Sequence, residues 1–173
     1  GQLRGELGVR KYLRAKKVSN LTVGSAEGGN MKIASRCAAS LGGGLAIVHK
    51  GRFSGRKVEA QEIIGDVRGK NVLMCDDIIA TAGTICSAAA LVKDRGAEKI
   101  FVGATHGILA PPALDRLNQA PIDQVVVTDT IPLNKASKKV GGIKVLSVAT
   151  MLGEAIRRIH RNESVSSLFT SSV

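Results

Sequence analysis

Tryptophan is absent from these 173 residues and aromatic side chains make up only 2%, so the core has to be aliphatic. The same scarcity removes the aromatic platforms on which single-stranded bases stack. Cys37, Cys75 and Cys86 are odd in number, lie in apolar surroundings and show no C-x-x-C spacing. That pattern argues against a disulfide framework and fits small core residues of a reduced, cytoplasmic protein. No apolar run approaches the about 20 residues of a membrane span, and no signal-peptide layout is present. Internal repeats, low-complexity tracts and long linkers are missing as well.

What remains is the composition of one ordinary folded domain, residues 1–173, with 44% hydrophobic and 23% charged residues. Lys and Arg number 25 against 14 Asp and Glu, a formal charge of +11. A basic balance can serve nucleic acid, but here the cations are scattered, densest at residues 10–17 and 50–57, and nucleic acid is not expected as a partner. A positive field equally suits phosphorylated sugars and nucleotides.

Residues 71–85, N-V-L-M-C-D-D-I-I-A-T-A-G-T-I, carry the most chemistry. Val72, Leu73, Met74 and Cys75 form an apolar run without alternation, the mark of a parallel strand buried on both faces. Asp76 and Asp77 stand where that strand is predicted to end. Thr81, Ala82, Gly83 and Thr84 then open a predicted helix over residues 85–92. A helix N-terminus has unpaired N–H groups and a positive dipole end, which suit a phosphate dianion. The two carboxylates would repel that phosphate unless they face hydroxyls, so a ribose 5-phosphate fits both halves of the stretch. The alternative is that the two Asp residues merely cap the strand-to-helix turn.

The remaining apolar runs alternate strand and helix. Strands are predicted at residues 21–23, 46–48, 62–64, 100–104, 124–128 and 144–148, and helices within 4–17 and at 31–41, 113–117 and 151–160. This alternation predicts a three-layer α/β domain with a mainly parallel sheet flanked by helices. Residues 49–58 are polar and glycine-containing and are expected to form a flexible loop; residues 164–169 are expected to dock as a short helix, with a frayed tail at 170–173. His106 ends a strand at the edge where open α/β sheets bind ligands, and contacts either a substrate or the backbone. Arg157, Arg158 and His160 suit the C-terminal dipole of the last long helix.

The block C-D-D-I-I-A-T-A-G-T-I at 75–85 resembles the ribose-phosphate signature of ribose-phosphate pyrophosphokinases, the phosphoribosyl pyrophosphate synthetases. So do T-H-G-I at 105–108, V-V-V-T-D-T-I-P at 125–132 and E-A-I-R-R-I at 154–159, and the blocks follow the family's order from Leu3 to Phe169. The resemblance implies a type I phosphoribosyltransferase-like fold and a preceding N-terminal domain of similar fold, which this chain does not include. It implies transfer of diphosphate from ATP to ribose 5-phosphate, with Mg2+ as cofactor, in a homo-oligomer. The sugar phosphate would lie on Asp76, Asp77, Thr81, Ala82, Gly83 and Thr84. Lys50 and Arg52 match the cations of the family's flexible catalytic loop, where they neutralise charge on the transferred group. Gly28 and Gly29 match the end of a diphosphate-binding turn, S-P-D-x-G-G, whose Asp holds magnesium. Ala26 stands at that Asp, so the metal ligands are left unassigned, and Ala80 replaces an acid usual in the family's loop. These two departures motivate a second reading, a non-catalytic regulatory relative. A third, a phosphoribosyltransferase that consumes phosphoribosyl pyrophosphate, shares the central loop.

Overall fold

The computed structural model describes residues 6–26, 30–52, 59–137 and 142–170. In chain order these form α1 (Glu6–Ala15), β1 (Leu21–Ser25), α2 (Met31–Leu41), β2 (Gly44–Arg52), β3 (Glu59–Ile64), β4 (Asn71–Ile79) and α3 (Gly83–Asp94). There follow β5 (Ile100–Gly107), α4 (Pro111–Gln119), β6 (Gln124–Thr128), β7 (Ile143–Leu146), α5 (Ala149–His160) and α6 (Ser167–Thr170). Among the described residues the strands make one sheet in the order β3-β2-β1-β4-β5-β6-β7. Every pairing is parallel except that of β2 with β3. The expected α/β class and mainly parallel sheet are therefore what the chain adopts.

Strand periodicity divides the core into two. Val72 and Met74 of β4, Val102 of β5 and Val127 of β6 pack with Ile85, Ala89 and Val92 of α3 and Ala113 of α4. Their neighbours Leu73, Cys75, Phe101 and Val126 point the other way, onto Val9 and Leu13 of α1 and Cys37 of α2. Val72, Leu73 and Met74 are fully buried, so each large side chain contributes about 1.5–3 kcal/mol through burial. Where α1 crosses β5 the backbones meet closely: a Cβ on Gly103 would stand 2.5 Å from Val9 Cγ1, which leaves room for glycine alone.

Two boundaries near the site differ from the sequence reading. β4 continues to Ile79 instead of ending at Cys75, because β5 runs on beside it and pairs Asp76 with Ala104, Ile78 with His106 and Ile79 with Gly107. The acid pair therefore lies within a strand. β2 extends through Arg52, held by an antiparallel β3 that registers His49 with Glu62 and Arg52 with Glu59. Residues 53–58 of the expected loop lie outside the described residues, as does the tail at 171–173. At the end of α5 the cations do more than meet the dipole: Arg157 Nε and Arg158 Nε donate to the Glu154 carboxylate at 2.8 and 2.7 Å and hold it at a pKa of about 2. The outer stripe of α5, Leu152, Ile156 and Ile159, is exposed. No helix among the described residues is long and apolar enough to cross a membrane.

Candidate functional site

The sheet order places β1 beside β4, and the connections that leave them run in opposite directions, to β2 on one side and β5 on the other. Such a reversal opens a crevice outside the carboxyl ends of the two strands. The loop after β4 borders it. Across it Asn30, just ahead of α2, donates from Nδ2 to Asp76 Oδ1 at 2.6 Å.

On the β4 side is an open cavity of about 170 Å³, lined by Asp76 and Ile78 of the strand and by the loop through Thr84 and Ile85. The structure thus brings together Asp76, Thr81, Ala82, Gly83 and Thr84 as the sequence predicts. Asp77 lies beside them, exposed, with its backbone N–H donated to Asp76 Oδ1 at 2.8 Å. It has no registered partner on β5, although the residues on either side of it do. Half-burial and the neighbouring Asp77 carboxyl push the Asp76 carboxyl up to about 6. Two such groups accept hydrogen bonds well and are relieved by any donor or cation that arrives between them.

The carbonyls of Ile79, Ala80 and Thr81 are held by groups that do not line the cavity. Leu109 N donates to Ile79 O at 3.1 Å, Ala110 N to Ala80 O at 3.0 Å and Arg116 Nη1 to Thr81 O at 2.8 Å. Ala82 adopts a left-handed conformation, φ 59°, and caps α3 without a side-chain hydrogen bond. Among the described residues, no acceptor meets the amides of Thr81, Ala82, Gly83 and Thr84. α3 has no acidic residue in its first turn. An anion is the natural complement of this arrangement.

Other predicted residues stand apart. The backbones of Lys50 and Arg52 belong to the end of β2, registered with Gln61 and Glu59; their side chains lie outside the described residues, as do Gly28 and Gly29 entirely. Ala26 is 5% exposed and joins the apolar cluster around Met74 and Ile79. His106 finds its partner in a side chain, not the backbone: Nδ1 is 2.9 Å from Thr130 Oγ1, and Thr128 Oγ1 donates to Thr105 O at 2.7 Å. Among the described residues no group of three or more His, Cys, Asp or Glu is close enough to hold a metal. Asn30, bonded to Asp76, and Arg116, bonded to Thr81 O, are contacts of this site that the sequence does not single out. Asn30 follows a Gly-rich turn and carried a faint signal; Arg116, in the middle of a short helix, carried none.

Known proteins resemble this chain in sequence and in fold. Residues 51–170 match the phosphoribosyl synthetase-associated domain family. The chain is 46% identical over 167 residues to the ribose-phosphate pyrophosphokinase of Helicobacter hepaticus, covering 96% of this chain and 53% of that protein. It is 43% identical over 160 residues to the ribose-phosphate pyrophosphokinase of Aquifex aeolicus, covering 92% and 51%. The crystal structure of phosphoribosylpyrophosphate synthetase from Mycobacterium smegmatis is similar at 33% identity and a TM-score of 0.80, over 91% of this chain and 51% of that one. An APRTase from Giardia lamblia shares the fold at 25% identity and a TM-score of 0.52, over 69% and 75%. The chain spans about half the length of the curated relatives it matches.

Proposed function

Since this chain belongs to the phosphoribosyl pyrophosphate synthetase family, as its C-terminal phosphoribosyltransferase-type domain, we propose that it supplies the ribose-5-phosphate half of a ribose-phosphate diphosphokinase. The observation that carries this is the cavity itself, where unpaired loop amides and the Asp76 carboxyl share one small space with Asp77 beside it. The 5-phosphate accepts from the amides of Ala82, Gly83 and Thr84 and from the Thr81 and Thr84 hydroxyls. The ring hydroxyls donate to Asp76 and Asp77.

Held in this way, the sugar turns its 1-hydroxyl toward the turn after β1, where Gly28 and Gly29 receive the diphosphate. That oxygen attacks the β-phosphorus of ATP, the bond from this phosphorus to the α,β-bridging oxygen breaks, AMP leaves with that oxygen, and the hydroxyl proton passes to solvent. Lys50 and Arg52 neutralise the charge that spreads over the transferred group. The residues fit Mg2+ at the acid pair and not at position 26, where a buried Ala offers no ligand; Asp76 and Asp77 would hold the ion, which supplies charge neutralisation between sugar and diphosphate. ATP is bound by groups outside this chain, in the other half of such a synthetase and in a neighbouring subunit of a homo-oligomer. A cytoplasmic setting, where ribose 5-phosphate and ATP are both available, completes the reading.

The buried Ala26 and the exposed Ala80 at the cavity rim favour a second reading, a non-catalytic relative that binds or regulates an active synthetase through its subunit surfaces. Calorimetry with ribose 5-phosphate, with and without Mg2+, tests the first step common to catalysis. Micromolar to millimolar binding that is lost in Asp77→Ala and Thr84→Ala supports the sugar-phosphate site. Absence of binding at millimolar ligand overturns it and leaves the non-catalytic role. AMP formation after addition of an N-terminal half from a relative then separates turnover from binding alone.

A further inference from the structure

The loop after β4 needs something to hold its carbonyls away from the cavity. Two of the three holders are backbone amides, Leu109 N and Ala110 N, fixed by the β5-to-α4 connection. The third is the Arg116 guanidinium, reaching from α4 to Thr81 O. In a trans peptide the carbonyl and the following N–H point opposite ways. Drawing Thr81 O outward therefore aims the Ala82 amide inward, at the point where the loop enters its left-handed turn. The guanidinium also lies close behind the loop: its Nη1 is 3.4 Å from where a Cβ on Gly83 would stand. Among the described residues Arg116 has no carboxylate partner; the described ion pairs join Lys70 to Asp66, and Arg157 and Arg158 to Glu154 and Glu163. Its charge is thus left unneutralised on the outer wall of an anion cavity, a short distance from the first turn of α3.

We propose that Arg116 is a positioning residue for the phosphate group, holding the Thr81 carbonyl outward so that the loop amides face the ligand and adding a fixed positive charge behind them. This rests on the sugar-phosphate reading of the cavity and adds a residue to it that touches no ligand. Its consequence is selectivity: the residue strengthens binding of the phosphorylated sugar and leaves the hydroxyl contacts of Asp76 and Asp77 untouched. Charge is one contribution and carbonyl anchoring the other, and they can be separated by chemistry. Lys keeps the charge and one donor, Gln keeps a donor without charge, and Met keeps only the length of the stem.

The test is titration of ribose 5-phosphate, and separately of inorganic phosphate, into the wild-type chain and its Arg116→Met, Arg116→Gln and Arg116→Lys variants. Affinity is read by calorimetry and the loop by amide NMR shifts of Ala82, Gly83 and Thr84. Arg116 is on the exposed face of α4, and unchanged circular dichroism confirms the fold of each variant. The expected result is about a tenfold or greater loss of ribose 5-phosphate affinity in Arg116→Met, a smaller loss in Arg116→Gln and recovery to within about threefold in Arg116→Lys. The salt dependence of binding flattens in the two uncharged variants. Wild-type binding of ribose 5-phosphate that persists within about twofold in Arg116→Met overturns the role of Arg116 and leaves the sugar-phosphate site standing. Wild-type shifts with inorganic phosphate, lost in Arg116→Met, but no binding of ribose 5-phosphate would uphold Arg116 and overturn the sugar reading. No response of the wild-type loop amides to either ligand overturns both.

Discussion

Replacing Asp76 by Asn removes a charge that the folded chain holds at a cost. The carboxyl is pushed from its usual 3.8 up to about 6, first by burial and then by the Asp77 carboxyl. A difference of that size corresponds to about 3 kcal/mol in a site sealed from solvent. Asp76 is only half-buried, and screening reduces the figure to about 1–2 kcal/mol. The sign follows from linkage: the folded state holds this proton more tightly than the unfolded one. The associated stability is fully present below about pH 3.8 and is lost as the pH rises through about 6. An amide at this position mimics the protonated acid. Its oxygen keeps the donors Asn30 Nδ2 and Asp77 N, and its NH2 gains the Asp77 carboxylate as an acceptor. Asp76→Asn is therefore expected to be more stable than wild type at pH 7.5 by about 1–2 kcal/mol, or about 3–8 °C in Tm. The gap should close toward pH 4, and binding of ribose 5-phosphate should fall at the same time. Thermal and urea unfolding in EDTA at both pH values measure it. A variant less stable than wild type at pH 7.5, or a gap of equal size at both pH values, refutes the reasoning.

Other perturbations have equally definite outcomes. Gly103→Ala drives a methyl against Val9 and should cost about 1–3 kcal/mol; adding Val9→Ala should recover much of it, as a double-mutant cycle by urea unfolding will show. Leu73→Ala, in the fully buried centre of β4, is expected to lose about 3–5 kcal/mol in the same assay. Asn30→Ala removes the donor to Asp76, so the Asp76 carboxyl should titrate at a still higher pH by NMR and ribose 5-phosphate should bind more weakly. Burial raises the Cys86 thiol while Arg116 pulls it back; Arg116→Met should therefore slow alkylation of Cys86 by iodoacetamide at about pH 8, and an unchanged rate would count against the placement of the guanidinium.

The fold was legible wherever apolar residues ran together. β1, α2, β6 and the apolar part of β4 appear close to their predicted places, because burial on both faces leaves a pattern that composition alone can carry. The ends of β4 and β2 were not legible. The acid pair interrupts β4 and the polar His49 to Arg52 ends β2, so both look like loop, yet they stay in the sheet because a neighbouring strand offers a ladder, β5 for Asp76 to Ile79 and β3 for His49 to Arg52. Arg157 and Arg158 likewise read as dipole partners until the helix set both against Glu154.

By itself the sequence determined the chemistry of the site: two adjacent carboxylates, a Thr-Ala-Gly-Thr turn, and a helix start with no acid in it. Those are local properties, fixed by residue type and order. Only the tertiary structure decided which way that turn faces. Its carbonyls are drawn outward by Leu109, Ala110 and Arg116, the last of them 35 positions beyond the carbonyl it holds, and Asn30 reaches Asp76 from 46 positions before it. Contacts of that separation leave no local pattern, since a hydrogen bond between distant residues asks only for a donor that the fold happens to bring within reach.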